Sequence, residues 1–321
     1  MTTEDTINTQ LLSKTTWEDI ENSCYDHLVV SYRTWIISSM SPFLVLLLLF
    51  LNYITTGLLV AFLLLVCLVI PLSPITSLRR YFRYYFSRFF SEASIRFEHV
   101  PQIEDRPTIL CVNPHGIFSL IWAYCYLADE FEHFHWCFSS LLRLSPIFRI
   151  LTDTTGHASN IRKNTVVDHM IHKRSIAIIP GGWHEGTLHT QTKDRLYIRK
   201  RQGFIKYALQ YGYTITPSYG FGERETYWNI SGAYNFRFRL NDYGILTVLP
   251  FGQWWCPILP YSEKLHVVIG SPIQLPHIQN PTSENVHYWH SIYISEMVNL
   301  YNRYKYIFYG QEAENLQLEI W

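Results

Sequence analysis

The sequence predicts an α/β domain, a mostly parallel sheet flanked by helices, behind an N-terminal transmembrane hairpin. Three observations lead there. Short β-like runs alternate with longer helical patterns through most of the chain. Ahead of them lies a long apolar stretch, Trp35–Leu72, without a single charge. Three strand-like runs end in segments that combine proline, glycine and an ionisable residue. In open α/β sheets, ligands bind beyond the carboxyl ends of the strands, so three such ends point to one shared cleft.

The elements follow in chain order. Residues 1–34 are polar with no strong period and read as a tail or a short cap. Residues 35–72 are roughly twice as long as the ~20 residues that one bilayer span requires. The polar break Asn52–Gly57 is where a hairpin would turn; one long tilted helix is the alternative. The run is too long, and starts too far from Met1, for a cleaved signal peptide. Arg79, Arg80, Arg83 and Arg88 follow it, whereas only Arg33 lies close before it, which places the C-terminal part in the cytosol. Residues 73–94 contain RRYFRYYFSRFF, the composition of an interfacial helix lying on lipid headgroups; an amphipathic helix packed on the domain is the competing reading.

Residues 95–321 contain no linker, repeat or low-complexity tract and are expected to form one domain. Strands are predicted over 108–112, 175–179, 214–218 and 266–269, and helices over 118–130 and 204–211. A stripe of Val286, Trp289, Tyr293, Met297, Leu300 and Tyr304 at three- and four-residue steps predicts a further helix after the turn at Asn280-Pro281-Thr282.

Composition narrows the function. Lys plus Arg and Asp plus Glu both number 26, so no net field favours nucleic acid as a partner. The 23 Tyr, 19 Phe and 10 Trp suit a wet–dry boundary. Six cysteines without a C-x-x-C pair argue against a disulfide framework and for a reducing compartment. The three strand ends carry Asn113-Pro114-His115-Gly116, then Pro180-Gly181-Gly182 with Glu185, then Pro217 with Gly220, Gly222, Glu223 and Glu225. Between the last two lies a basic cluster of Arg195, Arg199, Lys200, Arg201 and Lys206, to which Arg162 and Lys163 add. A solvated helix start is its ordinary reading; at a strand end holding a site, an anionic ligand such as a phosphate competes with it. His184, Glu185 and His189 miss the zinc-protease spacing, because five residues do not return to one helix face, so no metal is expected. No G-x-S-x-G elbow or Walker loop occurs.

Taken together, N-P-H-G (113–116), I-P-G-G-x-x-E (179–185), R-x-G-F-x-K-x-A (201–208) and P-x-x-x-F-G-E-x-x-x-Y (217–227) resemble, in order and spacing, the diacylglycerol acyltransferase type 2 family. That family includes monoacylglycerol and wax-alcohol acyltransferases. The resemblance runs over about 95–310, through VVIGSPIQLP (267–276). It implies a glycerolipid-acyltransferase-like domain, a membrane hairpin, and acyl transfer from acyl-CoA to a lipid hydroxyl at the endoplasmic reticulum and lipid-droplet surface. Acyl-CoA is then a co-substrate and no cofactor is needed. The partners implied are acyl-CoA, a lipid alcohol and the bilayer, with a homo-oligomer left open. The resemblance also makes His115 the catalytic residue, corresponding to the second histidine of the family's His-Pro-His-Gly. Asn113 stands where the first would be. The Asp of the related His-x-x-x-x-Asp motif is missing, since that position is Leu120.

The expected chemistry is general-base catalysis. His115 takes the proton of the lipid hydroxyl as it attacks the thioester. With no cysteine or serine recognisable beside it, direct transfer is expected rather than an acyl-enzyme. Glu185 or Glu223 is expected to orient the ring; a helix N-terminal role is the alternative for each. Gly181 and Gly182 amides, or a guanidinium, are expected to stabilise the oxyanion. Pro114 and Gly116 are expected to aim the ring, and Asn113 to tune it. Arg199, Arg201, Lys206 and Arg162 are the expected ligands of CoA phosphates. Diacylglycerol is the first choice of acceptor; monoacylglycerol and wax alcohol are the alternatives. A thioesterase or lipid hydrolase, and an inactive lipid-binding homologue, are the competing classes.

Overall fold

A computed structural model describes residues 45–47, 50, 54–69, 72–98, 106–245 and 247–321. Its centre is β2 (Thr108–Asn113), the run T-I-L-C-V-N. Strand side chains alternate between faces, and here both parities are buried. Ile109 and Cys111 enter one core, Leu110 and Val112 the other. A strand apolar on both faces belongs inside a sheet covered twice. β2 accordingly pairs in parallel with β5 (Ile176–Ile178) and with β7 (Thr214–Phe221).

The sheet is completed by β1 (Glu92–Phe97), β3 (His135–Phe138), β4 (Ala158–Asn160) and β8 (Lys264–Ile269), in the order β1-β8-β7-β2-β5-β3-β4, with the short β9 (Ile273–Gln274) antiparallel to β7 off that path. Five neighbours in that order, from β7 to β4, run parallel. β8 is antiparallel to β7, and β1 is parallel to β8, so one side of the sheet runs the other way. The sheet is thus mostly parallel, as expected. The ends of β2, β5 and β7 that carry the three unusual segments share one edge.

One face is covered by α5 (Lys163–Ile171), α7 (Gly203–Tyr211) and the long α9 (Ser283–Tyr309), through Met170, Leu209, Tyr293, Met297 and Leu300. Thr282 starts α9 with a capping box: its Oγ1 accepts from the Asn285 amide at 3.2 Å, and Asn285 Oδ1 accepts from the Thr282 amide at 3.1 Å. The predicted stripe is the face α9 buries. The other face is covered by α2 (Thr76–Phe89), α3 (Leu120–Leu127) and α4 (Pro146–Thr155), with edge-to-face rings such as Trp122 on Trp136. The predicted helix 118–130 ends earlier, at Leu127, and continues as a 3₁₀ turn over Asp129–Phe131.

Two boundaries differ from expectation. Residues 73–94 do not stand apart as an interfacial segment. Arg79 in α2 is 2 % exposed and ion-paired to Asp129 at 3.0 Å and Glu132 at 2.8 Å, which ties the helix to the domain. The division at 94/95 falls inside β1, which is hydrogen-bonded into the sheet. Much of the predicted hairpin, 35–72, lies outside the described residues. What is described of it is chiefly α1 (Ile54–Val69), 16 residues long, packed against α4 with Leu58, Leu59, Phe62 and Leu65 exposed. No helix among the described residues is long and apolar enough to cross a membrane.

Candidate active site

The carboxyl end of β2 delivers a loop that is held from three sides. Parity sends the side chain of Asn113, the last strand residue, into the α9 core. There its Nδ2 donates to Tyr293 Oη at 3.1 Å and to Cys111 O at 3.2 Å. Asn113 therefore faces away from the imidazole, and its contacts tie the strand end to α9. Pro114 follows through a cis peptide bond, and the ring of His115 comes next.

The imidazole is placed by short-range contacts. Its Nδ1 lies 2.9 Å from the carbonyl of Gly116. A carbonyl only accepts, so Nδ1 carries the proton and Nε2 keeps its lone pair. That is the tautomer a general base requires. Burial holds the His115 pKa below the usual 6.5, and the Gly116 carbonyl acts weakly the other way. The Oγ of Ser119 sits 3.2 Å from Nδ1 and 3.3 Å from Nε2. A hydroxyl nearly equidistant from both nitrogens lies over the ring edge, off the in-plane lone pair of either. Ser119 has φ +54° and immediately precedes α3, so the turn into the helix carries the hydroxyl back onto the ring. The expectation that no serine stands beside His115 is thereby corrected. The signal is a spacing of four, one short of the place that an aspartate takes in His-x-x-x-x-Asp.

The two glutamates are buried, and their hydrogen bonds go to backbone amides rather than to the ring. Glu185, from α6 (Gly182–Leu188), accepts from the His115 amide at 2.6 Å and from the Tyr197 amide at 2.8 Å. Glu223, beyond β7, accepts from the amides of Leu120 at 3.1 Å and Ile121 at 2.7 Å, at the start of α3. Expected as ring orienters, both brace the loop from its main chain, and Glu223 takes the helix N-terminal role that was the alternative. Burial pushes Glu185 up to about 7 against the pull of its two amides and the Arg201 charge. It pushes Glu223 up to about 8 against its own two amides.

Each glutamate is seated against a glycine. A Cβ on Gly116, whose φ is +60°, would collide with the Glu223 carboxylate, and one on Gly181 with the Glu185 carboxylate. The N-P-H-G and P-G-G segments therefore need glycine for the space as well as for the turn. Gly182 opens α6.

The basic residues scatter. Arg201 donates to His184 Nδ1 at 2.9 Å and lies over the Tyr197 ring, next to the site. Arg199 donates instead to the carbonyl of Ile320 at 2.8 Å, on the strand β10 (Leu318–Ile320) that pairs with β6 (Asp194–Leu196). Lys206 is exposed on α7, and Arg162 donates to Ser140 Oγ at 3.1 Å beyond the far edge strand β4. Of the four expected ligands of CoA phosphates, only Arg201 enters the cleft beside α6.

The chain is 27% identical to human acyl-CoA wax alcohol acyltransferase 2 over 235 residues, covering 66% of this chain and 70% of that protein. It is 27% identical to human diacylglycerol O-acyltransferase 2 over 236 residues, covering 66% and 60%. With diacylglycerol O-acyltransferase 2 of Dictyostelium discoideum the identity is 28% over 261 residues, covering 74% and 76%. Among solved structures, the 1-acyl-sn-glycerophosphate acyltransferase of Thermotoga maritima aligns over 86% of this chain and 97% of its own, with a TM-score of 0.43 and 11% identity. The family model for diacylglycerol acyltransferase matches residues 75–319, which hold the whole sheet and all three strand-end segments, and the chain belongs to that family.

Proposed function

We propose that this chain transfers a fatty acyl group from acyl-CoA to the hydroxyl of a neutral lipid, most directly diacylglycerol to give triacylglycerol, with His115 as general base. The single observation that carries the mechanism is the Nδ1 contact to the Gly116 carbonyl, which leaves Nε2 free to take a proton. The lipid hydroxyl loses its proton to Nε2 as its oxygen attacks the thioester carbonyl. The oxyanion is held by donors, for which the Gly181 and Gly182 amides at the start of α6 are our candidates, each worth ~3 kcal/mol if aligned. Collapse expels CoA thiolate, which takes the proton back from the imidazolium. Glu185 and Glu223 serve as positioning residues for the loop.

The Ser119 contact favours a second reading, in which Ser119 is acylled and then deacylated by the alcohol. The off-plane position of its hydroxyl favours direct transfer instead. Membrane attachment through residues 35–72, with the domain in the cytosol at the endoplasmic reticulum or lipid droplet, belongs to the same proposal. The exposed leucines and phenylalanine of α1 support it, because acceptor and acyl chain both dissolve in lipid. A membrane fraction given labelled acyl-CoA and a panel of diacylglycerol, monoacylglycerol and long-chain alcohol tests acceptor and class together. Free fatty acid alone would make it a thioesterase. His115→Ala should lower transfer by at least ~100-fold without altering membrane recovery, and near-normal turnover would remove the mechanism.

A further inference from the structure

On the opposite side of α6 from His115 lies an open cleft of about 460 Å³, a size typical of ligand sites. Its floor is a cluster of three rings. His184 stacks on Tyr197 with centroids 4.8 Å apart, and Phe238, from α8 (Tyr234–Asp242), lies 5.1 Å from Tyr197 and 5.3 Å from His184. Its rim carries Lys200, Arg201 and Arg239 against one carboxylate, Asp242. That carboxylate is engaged. Arg201 donates to His184 Nδ1, so the ring proton is on Nε2, which lies 3.0 Å from Asp242 Oδ1. Arg201 also has a buried Nε that meets no partner among the described residues, and its guanidinium lies over the Tyr197 ring.

Three cations beside flat aromatic surface select a ligand with several negative charges and a planar ring. Guanidinium groups pair with phosphate oxygens, and aromatic faces stack bases. We infer that this cleft binds the phosphorylated nucleotide end of acyl-CoA, with the phosphates on Lys200, Arg201 and Arg239 and the adenine against Phe238. The inference rests on acyl-CoA being the donor, as proposed above. The connection to the base is short: Glu185, next to His184, bridges the amides of His115 and Tyr197. The nucleotide and the thioester would then lie on either side of α6, joined by the pantetheine arm.

The test uses the full-length protein in membranes or detergent, with exposed cations removed so that folding is spared. The variant Lys200→Ala/Arg239→Ala is compared with wild type on acyl-CoA and on acyl-pantetheine, which lacks the nucleotide. The preference in kcat/KM for acyl-CoA over acyl-pantetheine should fall about tenfold or more, through KM, a factor that one or two lost charge-assisted contacts produce. Calorimetry with 3′,5′-ADP should show weakened binding in the variant, whereas inorganic phosphate should bind the wild type far more weakly than 3′,5′-ADP. An unchanged preference, or 3′,5′-ADP binding both proteins alike, overturns the inference while acyl transfer by the wild type still stands. Equal binding of phosphate and 3′,5′-ADP overturns the nucleotide assignment. Tight 3′,5′-ADP binding that depends on Lys200 and Arg239, in a protein that moves no acyl group, upholds the cleft and overturns the transfer.

Discussion

His184 and Glu185 are neighbours on one short helix, yet they face two different solvents. Glu185 is 2 % exposed and locked to two backbone amides, those of His115 and Tyr197. His184 opens onto a charged cleft, and its polar contacts are to the side chains of Arg201 and Asp242. The dry side stores its precision in main-chain hydrogen bonds and in glycines with no spare volume. The wet side arranges exposed charge around rings. A buried carboxylate on amides tolerates little change because each lost bond leaves a group unsatisfied. An exposed cation is free to be removed because water replaces its contacts.

The largest expected effect breaks the dry side. Gly116→Ala imposes a left-handed φ on a Cβ and drives that Cβ into Glu223. Strain of ~1–3 kcal/mol and unsatisfied amides at Leu120 and Ile121 should together cost at least ~2 kcal/mol of stability, read as a clear drop in Tm, with transfer reduced more than ~10-fold. Arg239→Ala, on the wet side, should change stability by no more than ~0.5 kcal/mol. Equal losses in the two variants would erase the distinction between the sides.

An intermediate effect sharpens what the loop does. Ser119→Ala should lower kcat by about threefold with KM held, since an off-plane contact worth less than a full hydrogen bond, ~0.5 kcal/mol, is lost. A loss as deep as that of His115→Ala, with acyl label retained on the wild type and absent from the variant, would instead make Ser119 the nucleophile.

The smallest effect is a pH dependence. Glu185 and Glu223 titrate near 7 and 8 when folded, above the ordinary 4.5. Between about pH 4.5 and 8 the folded state therefore holds more protons at these sites, and their contribution to stability falls as pH rises. Glu223→Gln should flatten the decline in Tm between pH 5 and pH 8 by a few degrees, on a scale of ~2–4 °C per kcal/mol. His115 has the opposite sign: with its pKa below 6.5, the neutral base persists as pH falls, so the acid limb of kcat should lie below pH 6.5. A limb above 6.5 would assign the titration to another group.

The chain alone determined the elements and the edge they share. Periodicity is local information: I-L-C-V between turn signals is a doubly buried strand, and the stripe from Val286 to Tyr304 is a helix face. Segments with proline and glycine at three strand ends marked one edge of the sheet, because parallel strands bring their carboxyl ends together there. The partners of each side chain were not legible. Glu185 meets Tyr197 and His115, and Glu223 meets the start of α3 across about a hundred residues, through packing that no spacing rule encodes. The turn that folds Ser119 back onto the imidazole is decided by α3 docking on the sheet. The cleft joins Arg201 of the R-x-G-F segment to Arg239 of a helix that carries no motif. Sequence fixes what a residue is able to exchange, a proton or a charge. Tertiary structure decides with whom, because distance in space sets every hydrogen bond and every field.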